Sequence, residues 1–292
     1  YCMPFYALIQ YCIAPQRAFV IAVLIGHACV LGVAPAEHGN WRFQYLTNPD
    51  GVWVNEVASL TEDDSGAIWA ATWGEGIQRI SDATWETFNE RSGFVGDWQY
   101  SVTRDTLGGI WVGTGDGMCH IQGNVLTNMT TENTPALDTN EIRVIRNDSS
   151  GNLLIGTGSG TVYRCLQSHL SEPHPQAWEL IISHEQSSGA AIMDLLETAS
   201  NQLWVSLKFQ GMRLWEDNMW RVPDMPRKDR SFRFSHFEDG QLAPLVSHAF
   251  GGDTMWRFEH GEWIPSVTVA HGVGGFARAK DGTLYIGTSE GL

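Results

Sequence analysis

The stretch Asp105-Thr-Leu-Gly-Gly-Ile-Trp-Val-Gly-Thr-Gly-Asp-Gly117 gathers five glycines and two carboxylates around a short apolar run. Glycine-rich loops of this kind hold phosphates, dinucleotides or calcium in other proteins. Each of those chemistries makes a demand that this stretch fails to meet. The phosphate loop needs Gly-Lys-Ser/Thr after its glycines. The dinucleotide fingerprint needs a helix to follow, and strand-like sequence follows here. A calcium loop needs oxygen ligands at alternate positions and a late Glu. Gly156-Thr-Gly-Ser159-Gly160 shares letters with a nucleophile elbow, but in the wrong order. The ten histidines share no spacing, and neither Cys-x-x-Cys nor His-x-x-x-His occurs. No catalytic residue, metal site or cofactor is therefore expected.

The glycines are explained by repetition. Related stretches occur at 63–76, 148–160, 197–211 and 281–292, with a weaker copy at 239–252. The turn positions Gly66, Gly108, Gly151, Asn201, Gly240 and Gly282 lie 42, 43, 50, 39 and 42 residues apart. Such a period marks a repeat architecture. In each copy Asp-x-x-Gly makes a turn, since Asp bonds its own backbone and Gly accepts positive φ. A β-branched and aromatic run such as Ile-Trp-Val-Gly-Thr is then a strand. The first repeat divides into Val57-Ala-Ser-Leu-Thr-Glu, Ala67-Ile-Trp-Ala-Ala-Thr, Ile77-Gln-Arg-Ile and Thr84-Trp-Glu-Thr-Phe. Four short strands per ~40–45 residues are the content of one propeller blade. The predicted fold is all-β: a β-propeller of four-stranded blades, with about six blade repeats in 37–292. The blade cores fall near 57–88, 100–128, 142–181, 191–222, 232–265 and 273–292. Trp69, Trp111 and Trp204 on second strands would pack between blades.

The pattern Asp-x-x-Gly-x-Ile/Leu-Trp-x-Gly-Thr-x-x-Gly-Ile/Leu resembles the two-component regulator propeller repeat. It matches best at 63–77, 105–118 and 281–292, and poorest at 239–257, where Pro244 interrupts the strand. The resemblance implies the periplasmic sensor portion of a bacterial hybrid two-component system. Such a propeller would pass its signal to a downstream kinase in the full-length protein. A lyase or glycosidase propeller and a protein-interaction scaffold are the alternatives. Enzyme activity is not expected in this chain.

Composition sets further bounds. Hydrophobic content of 43% and charged content of 17% describe a globular chain. The net charge of −15 repels phosphate backbones and argues against a nucleic-acid partner. Residues 1–36 contain no Asp or Glu, and their one basic residue, Arg17, precedes an apolar run ending at Ala34-Pro-Ala. This reads as a signal peptide, with an N-terminal membrane anchor as its rival. Either places the propeller in the periplasm or outside the cell. Of five cysteines, only Cys119 and Cys165 lie beyond this segment, and sequence leaves open whether they pair.

Ligand-binding residues are expected on the turns joining second to third strands, which converge around one mouth of a propeller. These are Trp73, Glu75, Asp116, Lys208, Gln210 and Asp253, joined by Asp97, Trp98 and Arg230 from interblade linkers. Trp73 and Trp98 could stack on a sugar, which makes a small molecule or glycan the expected ligand. Self-association is a further possible partnership. The chain stops at Gly291-Leu292, where a third strand should begin. Residues 41–46 have fourth-strand character without a visible third strand to pair with. An open ring, continued by the natural gene product, is therefore expected.

Overall fold

A computed structural model describes residues 57–222 apart from 73, 82–83, 172 and 199–201. Outside that stretch it describes the backbone of strands between 9 and 46 and between 232 and 288. The described residues form six four-stranded antiparallel sheets and one two-stranded sheet, each built from consecutive strands. The second sheet comprises Val57–Glu62, Ile68–Thr72, Ile77–Ile80 and Trp85–Phe88. The third comprises Gln99–Arg104, Ile110–Thr114, Met118–Gln122 and Val125–Met129. The fourth comprises Ile142–Asn147, Leu153–Thr157, Val162–Cys165 and Trp178–Ile182. The fifth comprises Ile192–Glu197, Leu203–Leu207, Gly211–Glu216 and Met219–Arg221. The first strand of each of these sheets packs against the first strand of the next. This is a β-propeller with the first strands innermost.

Two features go beyond the sequence expectation. Ile9–Tyr11, Phe19–Ile25 and Ala28–Ala34 pair with Arg42–Leu46 as a further four-stranded sheet. The 42–46 strand does stand fourth, but its neighbour comes from the segment read as a leader. An apolar β-branched run satisfies a buried strand as well as it satisfies a leader, and periodicity does not separate the two. The last sheet, Val273–Arg278 with Leu284–Thr288, has two strands, as the sequence predicts. Its inner strand nevertheless lies against Ile9–Tyr11, which brings the two ends of the described chain together.

Every second strand from the second to the fifth sheet is buried along its whole length. The clusters between blades show why. Ile110 and Val112 pack toward the second sheet, in a cluster with Trp69, Ala71 and Ile77. Trp111, between them in sequence, packs toward the fourth sheet with Ile145, Leu153, Ile155 and Trp178. Leu154 in turn faces the fifth sheet with Leu195, Leu203 and Val205. Alternate residues thus serve opposite interfaces, as the period-2 geometry of a strand requires.

Close approach between blades explains the strand glycine. A Cβ on Gly113 would stand 2.6 Å from the carbonyl oxygen of Ile142 in the next blade. One on Gly156 would stand 2.5 Å from Ile192 Cγ2. Near the axis, hydroxyl groups join neighbouring inner strands. Ser59 Oγ accepts from Val102 N at 3.1 Å and donates to Val102 O at 3.3 Å. Ser101 does the same to Ile145, at 3.1 and 3.4 Å. In the following blade the equivalent residue is Val144, and the join is made instead by Arg146 to Asp194 at 2.9 Å.

Candidate functional site

The chemistry suspected of DTLGGIWVGTGDG turns inward. Asp105 Oδ1 accepts from Leu107 N and Gly109 N, both at 2.8 Å, and so closes its own turn. Its Oδ2 accepts from Trp111 Nε1 at 2.7 Å. Asp63 repeats the arrangement, with Ser65 N at 2.9 Å, Ala67 N at 3.0 Å and Trp69 Nε1 at 2.9 Å. Asp148 holds Ser150 N and Asn152 N, each at 2.9 Å. A third-strand side chain completes each group: Arg79 lies 3.1 Å from Asp63 and Arg164 3.2 Å from Asp148. Burial raises the Asp63 carboxyl, but bonds from Ser65, Trp69, Arg79 and Ala67 outweigh it and hold the group at about 2.

In the third blade that third-strand position is His120. It is buried, stacked on Trp111 at 4.2 Å and 3.8 Å from Asp105. Burial pushes its ionisation below the ordinary histidine value, with Asp105 and Gln122 opposing. The turn carboxylates of Asp63, Asp105 and Asp148 are therefore structural, each engaged in closing its own turn. Cys119 and Cys165 are free thiols, buried in separate clusters and each pushed up to about 12 by burial. Cys119 Sγ donates to Asn128 Oδ1 at 3.0 Å. Among the described residues no group of three or more His, Cys, Asp or Glu is placed to hold a metal ion.

The antiparallel order puts turns between second and third strands on the same face as the interblade linkers. Backbone bonds tie the two kinds of segment together. Gly74 N donates to Asp97 O at 2.9 Å, and Gly115 N donates to Trp98 O at 3.0 Å. Glu75, Asp97, Trp98 and Asp116 are thereby gathered at the junction of the second and third blades. Gly96 belongs to the same junction: a Cβ there would stand 2.8 Å from Asp116 Oδ2. Its φ of 74° is natural only for glycine.

Lys208 and Gln210 occupy the corresponding turn of the fifth blade, on the same face but two blades away. Lys208 N donates to Ala191 O at 2.9 Å, again from turn to linker. Trp73 and Arg230 lie outside the described residues. Asp253 opens the strand Asp253–Glu259, with only its backbone described.

The face carries side chains that the sequence reading passes over. Phe209, between Lys208 and Gln210, is 76% exposed and holds φ at 60°. Such a backbone is uncommon for a bulky residue and marks a position worth functional attention. Lys208 Nζ stands 5.4 Å from the Phe209 ring centroid. Trp98 is 53% exposed. Between the third and fourth blades, Arg143 lies over the Tyr100 ring at 5.0 Å and pairs with Glu141 at 2.5 Å. Burial raises the Tyr100 phenol, Arg143 opposes, and Glu141 and Asp116 reinforce the rise. An aromatic at a turn tip was the available signal for Phe209. Nothing local marks Tyr100 and Arg143, which meet only across an interface.

This face therefore presents exposed aromatics beside carboxylates and cations. Such a surface can stack on a ring and hydrogen-bond its substituents. The strand tryptophans on the interior side are withdrawn: Trp69, Trp111 and Trp204 are at most 5% exposed.

No protein-family model matches the chain, and neither does the sequence of any curated protein. Solved structures match in fold. The extracellular domain of a putative one-component system from B. thetaiotaomicron aligns with TM-score 0.69 at 14% identity, over 99% of this chain and 39% of that one. The extracellular domain of a putative hybrid two-component system from the same organism gives 0.58 at 15% identity, over 96% and 43%. Virginiamycin B lyase from Staphylococcus aureus gives 0.68 at 12% identity, over 97% and 91%. The chain thus spans about two fifths of the first two structures. At these identities the likeness establishes the propeller fold. Among the described residues, no helix is long and apolar enough to cross a membrane.

Proposed function

We propose that this chain is an exported sensory propeller that binds a ligand on the face bearing the second-to-third-strand turns. The observation that carries the reading is the asymmetry of its aromatics. The second-strand tryptophans Trp69, Trp111 and Trp204 are buried, whereas Trp98 at 53% and Phe209 at 76% stand exposed on one face. Constant strands and turn tips of differing sequence suit a rigid scaffold that presents a specific surface. The repeat pattern resembles that of two-component sensor propellers, and two similar folds are extracellular domains of one- and two-component systems. A small carbohydrate is the ligand class that exposed aromatics beside carboxylates and Lys208 fit best. Output would lie in sequence outside this chain. Export rests on the likeness to extracellular sensor domains, and fractionation of cells that express the full-length protein tests it.

The experiment is a glycan-array screen with the wild-type chain, followed by Trp98→Ala and Phe209→Ala. Loss of binding in either variant supports the face. Unchanged binding in both places the site elsewhere.

A second reading has one observation in its favour. The chain aligns over nearly the full length of virginiamycin B lyase. Turnover of virginiamycin B by the purified chain would favour a lyase over a sensor.

A further inference from the structure

The opposite face holds an unusual loop. Third and fourth strands are joined by two residues in the third and fifth blades, 123–124 and 217–218. In the fourth blade the join takes twelve residues, 166–177. A loop lengthened at one blade of a repeat array calls for an explanation. It is firmly anchored. Leu170 is fully buried in the core between the third and fourth blades. Gln167 N donates to Asn152 Oδ1 at 3.0 Å, and its Nε2 donates to Thr106 Oγ1 at 2.8 Å. Two short 3₁₀ segments, Gln167–His169 and Pro175–Ala177, frame the loop.

The loop brings two imidazoles together edge to face. His169 Nδ1 and His174 Nε2 are 3.3 Å apart, with the rings at 84° to each other. Both residues are at the surface, His174 exposed and His169 partly so. Two nitrogens bound to one tetrahedral zinc at the usual length stand about 3.3 Å apart. The nitrogens thus stand at ligand spacing, and turning the two exposed rings brings both lone pairs from each other onto one metal. In the neutral, metal-free pair one N–H lies between the nitrogens. If that proton is on His174, shifting the imidazole to its other tautomer exposes both lone pairs, with no net proton change. Imidazole nitrogen suits zinc, nickel and copper, and excludes magnesium and calcium, which take oxygen.

We propose that His169 and His174 form a two-residue site for a divalent transition metal, on the face opposite the candidate ligand surface. Water completes the shell, leaving positions that a carboxylate or imidazole of a partner can fill. The His-x₄-His spacing lies within the range of finger histidines, but no Cys-x-x-Cys accompanies it, so the loop's own geometry has to reveal the site.

Calorimetric titration of the untagged chain with ZnCl2, and separately NiSO4, tests this. The wild type should show a saturable site, absent from a parallel MgCl2 titration. His169→Ala and His174→Ala should each weaken that site by about tenfold or more, since losing even an outer-shell partner weakens metal sites on that scale. His184→Ala removes an exposed histidine whose Nδ1 lies 2.8 Å from Ser159 O on the other face, and should leave the site intact. His169→Gln provides a second variant should alanine disturb the loop, and far-UV circular dichroism confirms folding. Equal affinity and stoichiometry in wild type and both His169 variants would overturn the proposal. So would a loss in His184→Ala as large as in His174→Ala.

Discussion

Asp105→Ala decides whether the aspartate of the repeat motif is structural. Its carboxylate satisfies three donors: Leu107 N and Gly109 N at 2.8 Å and Trp111 Nε1 at 2.7 Å. Trp111 is fully buried, and the bond from Gly109 is buried too, so water cannot replace the carboxylate there. Leaving a buried donor unpaired costs about 1–3 kcal/mol. Two such donors, plus a weaker loss at the half-exposed turn, give about 3–5 kcal/mol. With a urea slope of ~3 kcal/mol/M, the unfolding midpoint should fall by about 1 M or more. The Trp111 bond is isolated by a double-mutant cycle of Asp105→Asn with Trp111→Phe. Asn keeps one oxygen for the turn, and Phe removes the indole donor. A coupling of about 1–2 kcal/mol is expected for a charge-assisted bond. If Asp105→Ala costs less than about 1 kcal/mol while ligand or metal binding is lost, the aspartate is a site residue and the structural reasoning fails.

Three further outcomes follow from the same geometry. Gly113→Ala sets a Cβ 2.6 Å from Ile142 O and should destabilise by about 1–3 kcal/mol; Ala71→Gly, where the second blade already carries the methyl, should cost about 1 kcal/mol at most, and equal losses in urea melts would refute the clash. His120 ionises below its ordinary value because it is buried. Above about pH 6.5 it contributes no slope; below that the unfolded chain takes up a proton that the folded chain refuses, so stability falls with pH at up to ~1.4 kcal/mol per unit. His120→Phe should remove that part of the slope, and an unchanged slope in melts from pH 7 to 5 would refute it. Buried thiols held at about 12 should resist alkylation in the native state. Peptide mapping after iodoacetamide should find Cys119 and Cys165 unmodified until urea is added; native labelling at the denatured rate would contradict their burial.

The blades were legible because each is a local object. Asp-x-x-Gly names a turn and Ile-Trp-x-Gly-Thr names a strand, and both recur at a fixed period. The role of Gly113 was less so, because its neighbour, Ile142, lies in another blade. The strands at 19–25 and 28–34 were unreadable for a different reason. A run such as Phe-Val-Ile-Ala-Val-Leu-Ile has no polar residue to report a periodicity, so it satisfies two contexts equally. On the candidate face, Asp97, Trp98 and Asp116 could be placed from turn positions alone. Phe209 was passed over although it lies between two chosen turn residues, Lys208 and Gln210, where its φ of 60° sets its ring outward. Arg143 over Tyr100 and His169 beside His174 depend on loop paths that no local pattern encodes.

The division of each second strand between two interfaces has a consequence for how such a protein changes over time. Because Ile110 and Val112 pack one way and Trp111 the other, no blade encloses a core of its own. A blade is half of two cores. Cutting the gene within a repeat would leave unmatched halves, whereas duplicating or deleting one whole period joins a Trp-bearing face to an Ile/Val-bearing face as before. The heritable unit is therefore the ~42-residue period rather than the sheet, wherever along the period the break falls. Recombination in that step can lengthen or shorten the array while each face still meets a face of the same apolar kind, and the turn tips diverge under a separate set of constraints.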